Sequence, residues 1–512
     1  MVSIYLVLIV LAVILIQKWL SNYMKIRKIL ETVPGPKQYP LIGIAPLMMG
    51  VPPEDRLAVF NDLCYQFKNG MFLIWFGTQP VINIRKPHQI EKILTSTTII
   101  KKSRFYNFVK PWLGEGLITT TGTRWFNHRR LITPAFHFGV LGEYSAVMRE
   151  NVQALIELID KECNRNPKAP INIFDIIGRY TLDTICETAM GVSVNAIQQP
   201  DNEYCQALHN ITRLFTERVF RFWLASDFIY NKTPSGKQFR KAVKIMHKFT
   251  EKVIMDKHRE RAEKKISGVT EIEEDNVYGK RKPKAFLDLL LDASENADSP
   301  LSLEELREEV DTFMFAGQDT TAMGICNALF ALGNAPEIQE KVYQEMKEVI
   351  GDSDEVATAS QLGQLKFLDR VIKEALRIYP SAPSIGRCTE HDIVIDGHLI
   401  PKGTSISLNI YQAHHDPESW PDPETFDPDR FLPENSKGRH IYSYFPFSAG
   451  PRNCIGKKFA YLELKTVLTA ILRKWKVSSV LKPSEMKMVA NITLRPANEK
   501  IELYFTPHNN YL

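Results

Sequence analysis

A cysteine near the C-terminal end of the chain lies in a segment whose residue types could hold a flat, charged ligand. Residues 447–456 read FSAGPRNCIG and include Phe447, Gly450, Arg452, Cys454 and Gly456. Glycine lets the backbone turn tightly and approach a ligand closely, while backbone amide donors stabilise a thiolate. Arg452 could neutralise a carboxylate at the edge of a cofactor. This pattern predicts a liganding thiolate rather than an ordinary buried cysteine.

A second candidate site lies within a predicted long helix. The helix is expected to begin at a capping box, residues 302–305 (SLEE), and to end at residues 333–336 (GNAP). Its middle reads AGQDTT, residues 316–321, where Gly and Thr favour a helix poorly. A local opening there would admit water or dioxygen, with the Thr320 hydroxyl as proton relay and Asp319 as proton source. Alternatively, Thr320 donates a hydrogen bond back to its own helix.

Together these segments resemble the cytochrome P-450 superfamily. The cysteine segment is similar to the family motif FxxGxRxCxG, and residues 316–321 resemble its oxygen-activation motif. The resemblance implies that Cys454 is the axial thiolate ligand of a haem iron, which favours O–O cleavage. It further implies a haem-thiolate monooxygenase that inserts one oxygen atom from O2 into an apolar substrate. A fatty acid, a terpenoid or hormone-like lipid, a hydrocarbon and a xenobiotic are all compatible with it.

The resemblance also implies roles for charged residues elsewhere. Trp125 and Arg129 match the family motif WxxxR and, with Arg387, would contact haem propionates. Glu374 and Arg377 match ExxR and, with Arg430, would form a buried structural triad that holds the cysteine loop. Without the resemblance, Arg129 and Arg387 could simply be surface cations, and Glu374 and Arg377 an ordinary helical ion pair.

One residue departs from the pattern of the branch that this chain resembles. Residues 181–191 (TLDTICETAMG) and 310–315 (VDTFMF) look like the animal branch that contains the fatty-acid ω-hydroxylases. Many members of that branch carry a glutamate that can form an ester to the haem, where this sequence has Ala316. A methyl group cannot form that bond. The sequence therefore predicts haem b without a protein ester, and strict terminal-carbon selectivity is not expected.

The elements that must position these residues are predicted to be mainly α-helical, with small β-sheets. Helical periodicity dominates residues 88–350, for example at residues 144–164, 173–191 and 239–265. Hairpins are predicted around turns 77–79 and 396–397, and another is predicted between residues 492–494 and 501–505. The charged residues 259–284 predict a solvated loop, with a partner-binding segment as the alternative.

An uncharged apolar run opens the chain and predicts one membrane-spanning helix. The expected division is a transmembrane anchor at 1–24, a basic, Pro-rich hinge at 25–45 and a single catalytic domain at 46–512. Lys18 and the basic residues of the hinge keep the catalytic domain cytosolic by the positive-inside rule, at the endoplasmic reticulum membrane. A cleaved signal peptide is the alternative. However, no Lys or Arg precedes the apolar run, and no A-x-A cleavage site follows it.

Composition narrows the protein class. The chain has 512 residues, 44% hydrophobic and 24% charged, which is globular and able to bury a large core. A net charge of +5 supports a membrane surface or an acidic protein partner, not nucleic acid. Seven scattered cysteines without a CxxC pair argue against disulfides and zinc and favour a reducing compartment. The pair His414 and His415 has no third metal ligand at suitable spacing.

The expected electron source is a separate protein, because no GxGxxG motif follows a predicted strand. NADPH–cytochrome P-450 reductase is the expected partner, with cytochrome b5 as a further candidate donor. The docking face for an acidic reductase is predicted to be the basic side of the cysteine loop, with Arg452, Lys457, Lys458 and Lys465. Two alternatives stay open: a haem-thiolate isomerase or dehydratase, which would be expected to lack the acid–alcohol pair, and a haem sensor, which would more often carry a Cys-Pro loop and a signalling domain.

Overall fold

Helices dominate the chain, as predicted. The computed structural model describes residues 2–266, 285–295, 301–353 and 355–508. The α-helices are Val2–Leu30 (α1), Ala45–Met48 (α2), Arg56–Gln66 (α3), Pro87–Leu94 (α4), Lys110–Leu113 (α5), Gly122–Ile132 (α6), Phe138–Arg165 (α7), Ile173–Ile185 (α8), Glu203–Phe220 (α9), Asp227–Tyr230 (α10), Pro234–Ile266 (α11), Phe286–Ser294 (α12), Leu303–Gly333 (α13), Pro336–Ile350 (α14), Ala359–Gln364 (α15), Lys366–Ile378 (α16), Ile410–His414 (α17), Pro433–Ser436 (α18) and Lys457–Lys474 (α19).

Helix α13 is the long predicted helix and forms the centre of the molecule. The Ser302 hydroxyl accepts a hydrogen bond from the Glu305 amide, and the Glu305 carboxylate accepts one from the Ser302 amide, so the predicted capping box is present. The helix packs against α8, α11, α16 and α19. Nearly all its residues after the first turn are buried, so apolar contacts on several sides hold it in place. Because neighbouring helices cover most of its surface, only one face of α13 could border a cavity at the middle of the fold.

Helix α11 includes the beginning of the predicted charged loop. Residues 259–266 are helical because they continue α11, where Arg, Lys, Glu and Ala favour a helix and no Gly or Pro intervenes. The prediction of a loop is wrong for this part, whereas the overlapping prediction of a helix at 239–265 is confirmed. Residues 267–284, the rest of the predicted loop, lie outside the described residues.

The β-strands form four small sheets. They are Met71–Phe76 (β1), Gln79–Ile84 (β2), Ile171–Asn172 (β3), Ile385–Cys388 (β4), Ile393–Ile395 (β5), His398–Ile400 (β6), Ser405–Leu408 (β7), Trp475–Ser479 (β8), Met488–Ala490 (β9), Leu494–Pro496 (β10) and Glu502–Pro507 (β11). The largest sheet has the order β1-β2-β7-β4, and the others are β3-β11-β8, β9-β10 and β5-β6. The predicted hairpins β1-β2 and β5-β6 are confirmed.

The third predicted hairpin is wrong. Strand β10 pairs with β9, and β11 pairs with β8 and with β3, so the two late strands do not pair with each other. Alternation along a strand shows which face is buried but not which distant segment supplies the partner.

The N-terminal helix joins the predicted anchor to the body. Helix α1 is long and apolar enough to cross a membrane, and its side chains between residues 4 and 22 are exposed. Towards its end Tyr23 and Leu30 are buried, and the Tyr23 ring lies edge-on to Trp75 of β1. The helix thus continues through residues 25–30, the first part of the predicted hinge, because the breakers Pro and Gly begin only at Pro34.

Candidate active site

The cysteine loop is shaped by a glycine that no other residue could replace without a clash. Gly450 has φ +68°, and a Cβ at this position would lie 1.8 Å from the Leu94 carbonyl oxygen. The Cys454 amide donates to the Phe447 carbonyl over 2.9 Å, which closes the loop. Gly456 then caps α19. These contacts hold Cys454 against a cavity of about 270 Å³, named here the thiol cavity.

The Cys454 thiol is exposed towards the thiol cavity and surrounded by protein elsewhere. Burial raises the pKa of this thiol, whereas the Gly456 amide, Arg129 and Lys457 each lower it. The sequence predicted the amide donor but not that Arg129 and Lys457 lie close enough to act on the thiol. In the protein alone they do not outweigh the loss of solvation.

A face of helix α13 lines the same cavity. Phe313, Ala316, Gly317 and Thr320 all contribute. Residues 316–321 are regular α-helix, and the Thr320 hydroxyl donates to the Ala316 carbonyl over 2.7 Å. The expected local opening is therefore absent from this described segment, and the alternative, a bond back to the helix, is observed. A Cβ on Gly317 would lie 2.6 Å from an Ile185 methyl, so this glycine permits α13 to pack closely on α8.

Asp319 points to a different part of the structure from Thr320. Its carboxylate accepts hydrogen bonds from Arg495 at 2.7 and 2.8 Å and from the Thr493 hydroxyl at 2.7 Å. Asp319 is buried and is not among the described residues that line the thiol cavity. Both of its partners line a second, larger cavity. Thr320 therefore lines both cavities, whereas Asp319 lines neither and is linked to the large cavity only through Arg495 and Thr493.

Four cationic side chains line one region of the thiol cavity: Lys102, Arg129, Arg387 and Arg452. Arg452 donates to the carbonyls of Ile100, Leu117 and Thr120, Arg129 to Asn453 and Arg387 to Gly386. No Asp or Glu among the described residues forms an ion pair with any of the four cations. Trp125 packs beneath the Arg452 guanidinium, 4.4 Å from it.

Burial lowers the pKa of each of these four cations. Burial and, after it, the neighbouring Arg387 lower the pKa of Arg452 to about 9. Burial, followed by Arg387 and Arg452, also lowers the pKa of Lys102 well below its usual range. Desolvated like charges repel, so this cluster favours a ligand that carries negative charge. Lys102 is a residue that the sequence analysis missed, because only the adjacent Lys101 marks it in the sequence and neither lies in a recognisable motif.

The second cavity, named here the large cavity, has a volume of about 790 Å³. It shares Lys102, Ile118, Ala316, Thr320, Ala382 and Ile385 with the thiol cavity. Phe60, Phe76, Phe220 and Phe315 contribute aromatic surface. An apolar molecule in the large cavity would therefore border directly on the Thr320 side chain.

Comparison with known proteins agrees with this arrangement. The family model for cytochrome P450 matches residues 33–503. Cytochrome P450 4V2 of Mus musculus is 41% identical over 467 residues, covering 90% of this chain and 87% of that protein. Cytochrome P450 4c21 of Blattella germanica is 39% identical and covers 93% of this chain and 94% of its own length. The crystal structure of the cytochrome P450DA heme domain superposes with a TM-score of 0.76 at 25% identity, covering 94% of this chain and 98% of that one.

The chain belongs to the cytochrome P450 family. It is a haem-thiolate monooxygenase with family-four relatives, and it is membrane-associated, with one N-terminal apolar helix. The family implies haem, a redox partner, O2 and an apolar substrate. The thiol cavity fits the haem, because it offers one thiol as iron ligand and a cationic cluster without carboxylates for the two propionates.

The predicted triad of this cytochrome P450 is assembled on helix α16. Glu374 and Arg377 are fully buried and form two hydrogen bonds, of 2.7 and 2.8 Å, and Arg430 lies 3.4 Å from the Glu374 carboxylate. Arg377 also donates to the carbonyls of His414 and Pro423. The His414 ring accepts the Phe445 amide, two residues before the cysteine loop. The triad is thus connected to that loop, and His414 serves this connection.

The predicted docking face of this cytochrome P450 is smaller than expected. Arg452 is buried and donates inward, so the expectation of a surface role for it is wrong. Lys465 is largely buried and pairs with Asp369 at 3.1 Å. Lys457 and Lys458 are exposed at the start of α19. The distance of a cation along the sequence from Cys454 does not show on which side of the loop it lies.

Proposed function

We propose that this monooxygenase receives NADPH-derived electrons from a separate reductase and inserts one oxygen atom into an apolar lipid or xenobiotic held in the large cavity. NADPH–cytochrome P450 reductase is the proposed donor, with cytochrome b5 as a second. The observation that carries the proposal is that Cys454, Thr320 and the cationic cluster share one cavity, and that the large cavity adjoins it at Thr320. The haem, when bound, supplies oxygen activation, and the protein supplies position and protons.

An apolar substrate follows from the way the large cavity is lined. Two of its cations already have anionic partners: Arg213 pairs with Glu217 at 2.7 Å, and Arg495 pairs with Asp319. Lys102 and Arg56 also line it and form no ion pair among the described residues, but most of the lining is apolar and aromatic surface. A fatty acid, a terpenoid or hormone-like lipid, or a xenobiotic with a long apolar part would each remove this surface from water.

We assign proton delivery to Thr320 and Asp319. The Thr320 hydroxyl can exchange its bond to the Ala316 carbonyl for a donation into the thiol cavity, since a χ1 rotation suffices. Asp319 must first exchange its bonds with Arg495 or Thr493, both of which border the large cavity. A proton would thus reach Thr320 from the side of the large cavity.

The haem is held without a protein ester in this proposal. Ala316 stands at the position where branch members carry glutamate, and no Asp or Glu is among the described residues that line the thiol cavity. Cofactor binding therefore depends on Cys454, on the cations Arg129, Arg387 and Arg452, and on the close approach that Gly450 and Gly456 permit. An acidified organic solvent should extract all haem from the denatured protein, and haem that stayed with the protein would contradict this.

The proposed location is the endoplasmic reticulum membrane, with residues 1–24 as a single-pass anchor and residues 46–512 as a cytosolic catalytic domain. Residues 25–45 connect the two. The connection is tight, because the Gln38 side chain donates to the Leu73 carbonyl of β1 over 2.8 Å and the Leu73 amide donates to Pro34 over 2.7 Å. The basic residues that follow the apolar run support the cytosolic side.

The proposed function is tested by turnover with purified reductase, NADPH and ¹⁸O₂ over a panel of lipids and xenobiotics. The proposal predicts one labelled oxygen atom per product molecule and the other in water. Product formed without NADPH or O2 would instead support an isomerase or dehydratase. Haem binding without turnover or spectral response to any of the panel would favour a sensor.

A further inference from the structure

A buried carboxylate outside the predicted site contacts two segments that lead to the cysteine loop. Glu309 lies on α13 and is 1% exposed. One of its oxygens accepts a hydrogen bond from the Leu117 amide over 3.1 Å. The other lies 2.7 Å from Nδ1 of His128. A carboxylate buried this completely is costly to desolvate, so its retention requires these partners.

The first segment is the loop before α6. Leu117 donates to Glu309 through its amide, and its carbonyl accepts a hydrogen bond from Arg452 over 3.0 Å. The loop lies close to α13, because a Cβ on Gly116 would lie 2.6 Å from the Glu308 carbonyl oxygen. Glu309 therefore fixes the carbonyl that orients Arg452 beside the thiol cavity.

The second segment is helix α6. His128 lies between Trp125 and Arg129 in the sequence, on the helix that carries both of them. Arg129 donates to the carbonyl and side chain of Asn453, at 3.0 and 2.8 Å, next to Cys454. The bond between Glu309 and His128 thus fixes the helix from which Arg129 and Trp125 reach the cysteine loop.

We infer that Glu309 is a positioning residue for haem binding, which holds Arg452 and the helix of Arg129 in the geometry that receives the propionates. The inference rests on the proposed haem site. Glu309 links α13 to the cationic cluster, and it lies outside both residues 316–321 and the cysteine loop. Glu309 does not touch the thiol cavity itself among the described lining residues, so its effect passes through Leu117 and His128.

The test is the rate at which the purified holoprotein releases haem to excess apomyoglobin. Replacing Glu309 by Ala should accelerate release by about tenfold or more, the factor that corresponds to losing one hydrogen bond to a charged group. Glu309→Gln keeps an oxygen acceptor for the Leu117 amide and should lie between the wild type and Glu309→Ala. The matched control is Asp311→Ala, which removes another buried carboxylate of α13 and its 2.8 Å hydrogen bond from Thr250 of α11 without touching Leu117 or helix α6.

The outcomes separate a positioning role from a structural one. Equal haem release in Glu309→Ala and Asp311→Ala, at equal urea midpoints, would overturn the inference. If Glu309→Ala does not fold, Glu309→Gln decides, and wild-type release in that variant would then overturn the inference. Failure of the proposed haem-thiolate site is recognised separately, since the wild type would then lack the red-shifted Soret band of its carbon monoxide complex.

Discussion

Among the described residues that line both cavities, two have a side-chain proton donor: Thr320 and Lys102. Of these, only Thr320 lies on α13. Thr320→Ala removes its hydroxyl. We expect product formed per NADPH to fall at least about tenfold, with peroxide rising, because a positioned general acid contributes about 10²–10⁴-fold. NADPH, product and peroxide are measured in the same reaction.

Thr320→Ser is the matched control for this prediction. It keeps the hydroxyl that donates to the Ala316 carbonyl and should keep most of the coupling. If the alanine and serine variants both form as much product per NADPH as the wild type, Thr320 has no part in proton delivery.

At Gly450, backbone conformation and lack of space both exclude a side chain. In Gly450→Ala the new methyl would meet the Leu94 carbonyl at φ +68°, so we expect the purified protein to contain little haem. Gly438 is the matched control, since it has φ +81° and a Cβ there would have nothing within 4 Å. Gly438→Ala should retain haem and lose only about 1 kcal/mol of stability. Equal haem contents in the two variants would contradict the close approach at Gly450.

Helices α11 and α13 meet at a cluster of buried titratable side chains, which should make the stability of the protein depend on pH. The Thr250 hydroxyl donates to Asp311 over 2.8 Å, and His247 lies 3.5 Å from the same carboxylate. Arg307 donates to the His247 ring over 2.8 Å. Burial raises the pKa of Asp311 from 3.8 to about 7, and burial lowers the pKa of His247.

The sign of the effect follows from proton binding. Between about pH 4 and pH 7 the folded protein holds a proton on Asp311 that the unfolded chain releases, so this contribution to stability falls as pH rises through that window. Asp311→Asn removes it. The stability of the wild type minus that of the variant should therefore fall with pH, by at most about 1.4 kcal/mol per pH unit. His247 gives the opposite trend in both proteins. A difference that does not vary between pH 5 and pH 8 would contradict the account.

The sequence predicted the elements that have strong local signals. The capping box located the start of α13, and Asp396 and Gly397, both with positive φ, form the predicted turn between β5 and β6. The pairing of β10 and β11 was not predictable, because their partners lie elsewhere in the sequence. Contacts across the chain were missed for the same reason. Lys102 and Glu309 acquire their roles only when segments separated by hundreds of residues pack in and around the thiol cavity.

Helix α1 forms both the proposed anchor and a part of the body, and two deletions should separate these two contributions. Removing residues 2–20 takes away no side chain that is described as buried, so the protein should leave the membrane fraction with an unchanged melting temperature. Removing residues 2–31 also deletes Tyr23 and Leu30 and uncovers Trp75. Each buried apolar side chain stabilises the fold by about 1.5–3 kcal/mol, so this longer deletion should melt at a lower temperature.

The pair of deletions has clear contrary outcomes. If the shorter deletion stays in the membrane fraction after a high-salt wash, attachment resides elsewhere in the chain. If both deletions melt at the wild-type temperature, the packing of Tyr23 against Trp75 contributes nothing to the body.

The central claim is that Cys454 ligates a haem iron as a thiolate in the thiol cavity. Its most direct test is the optical spectrum of the reduced, purified protein with carbon monoxide, recorded beside Cys454→Ser. We expect a strongly red-shifted Soret band in the wild type and its absence in the serine variant, because only a thiolate supplies the electron density that produces it. Wild-type protein that binds haem without this band, or that binds none, would contradict the claim.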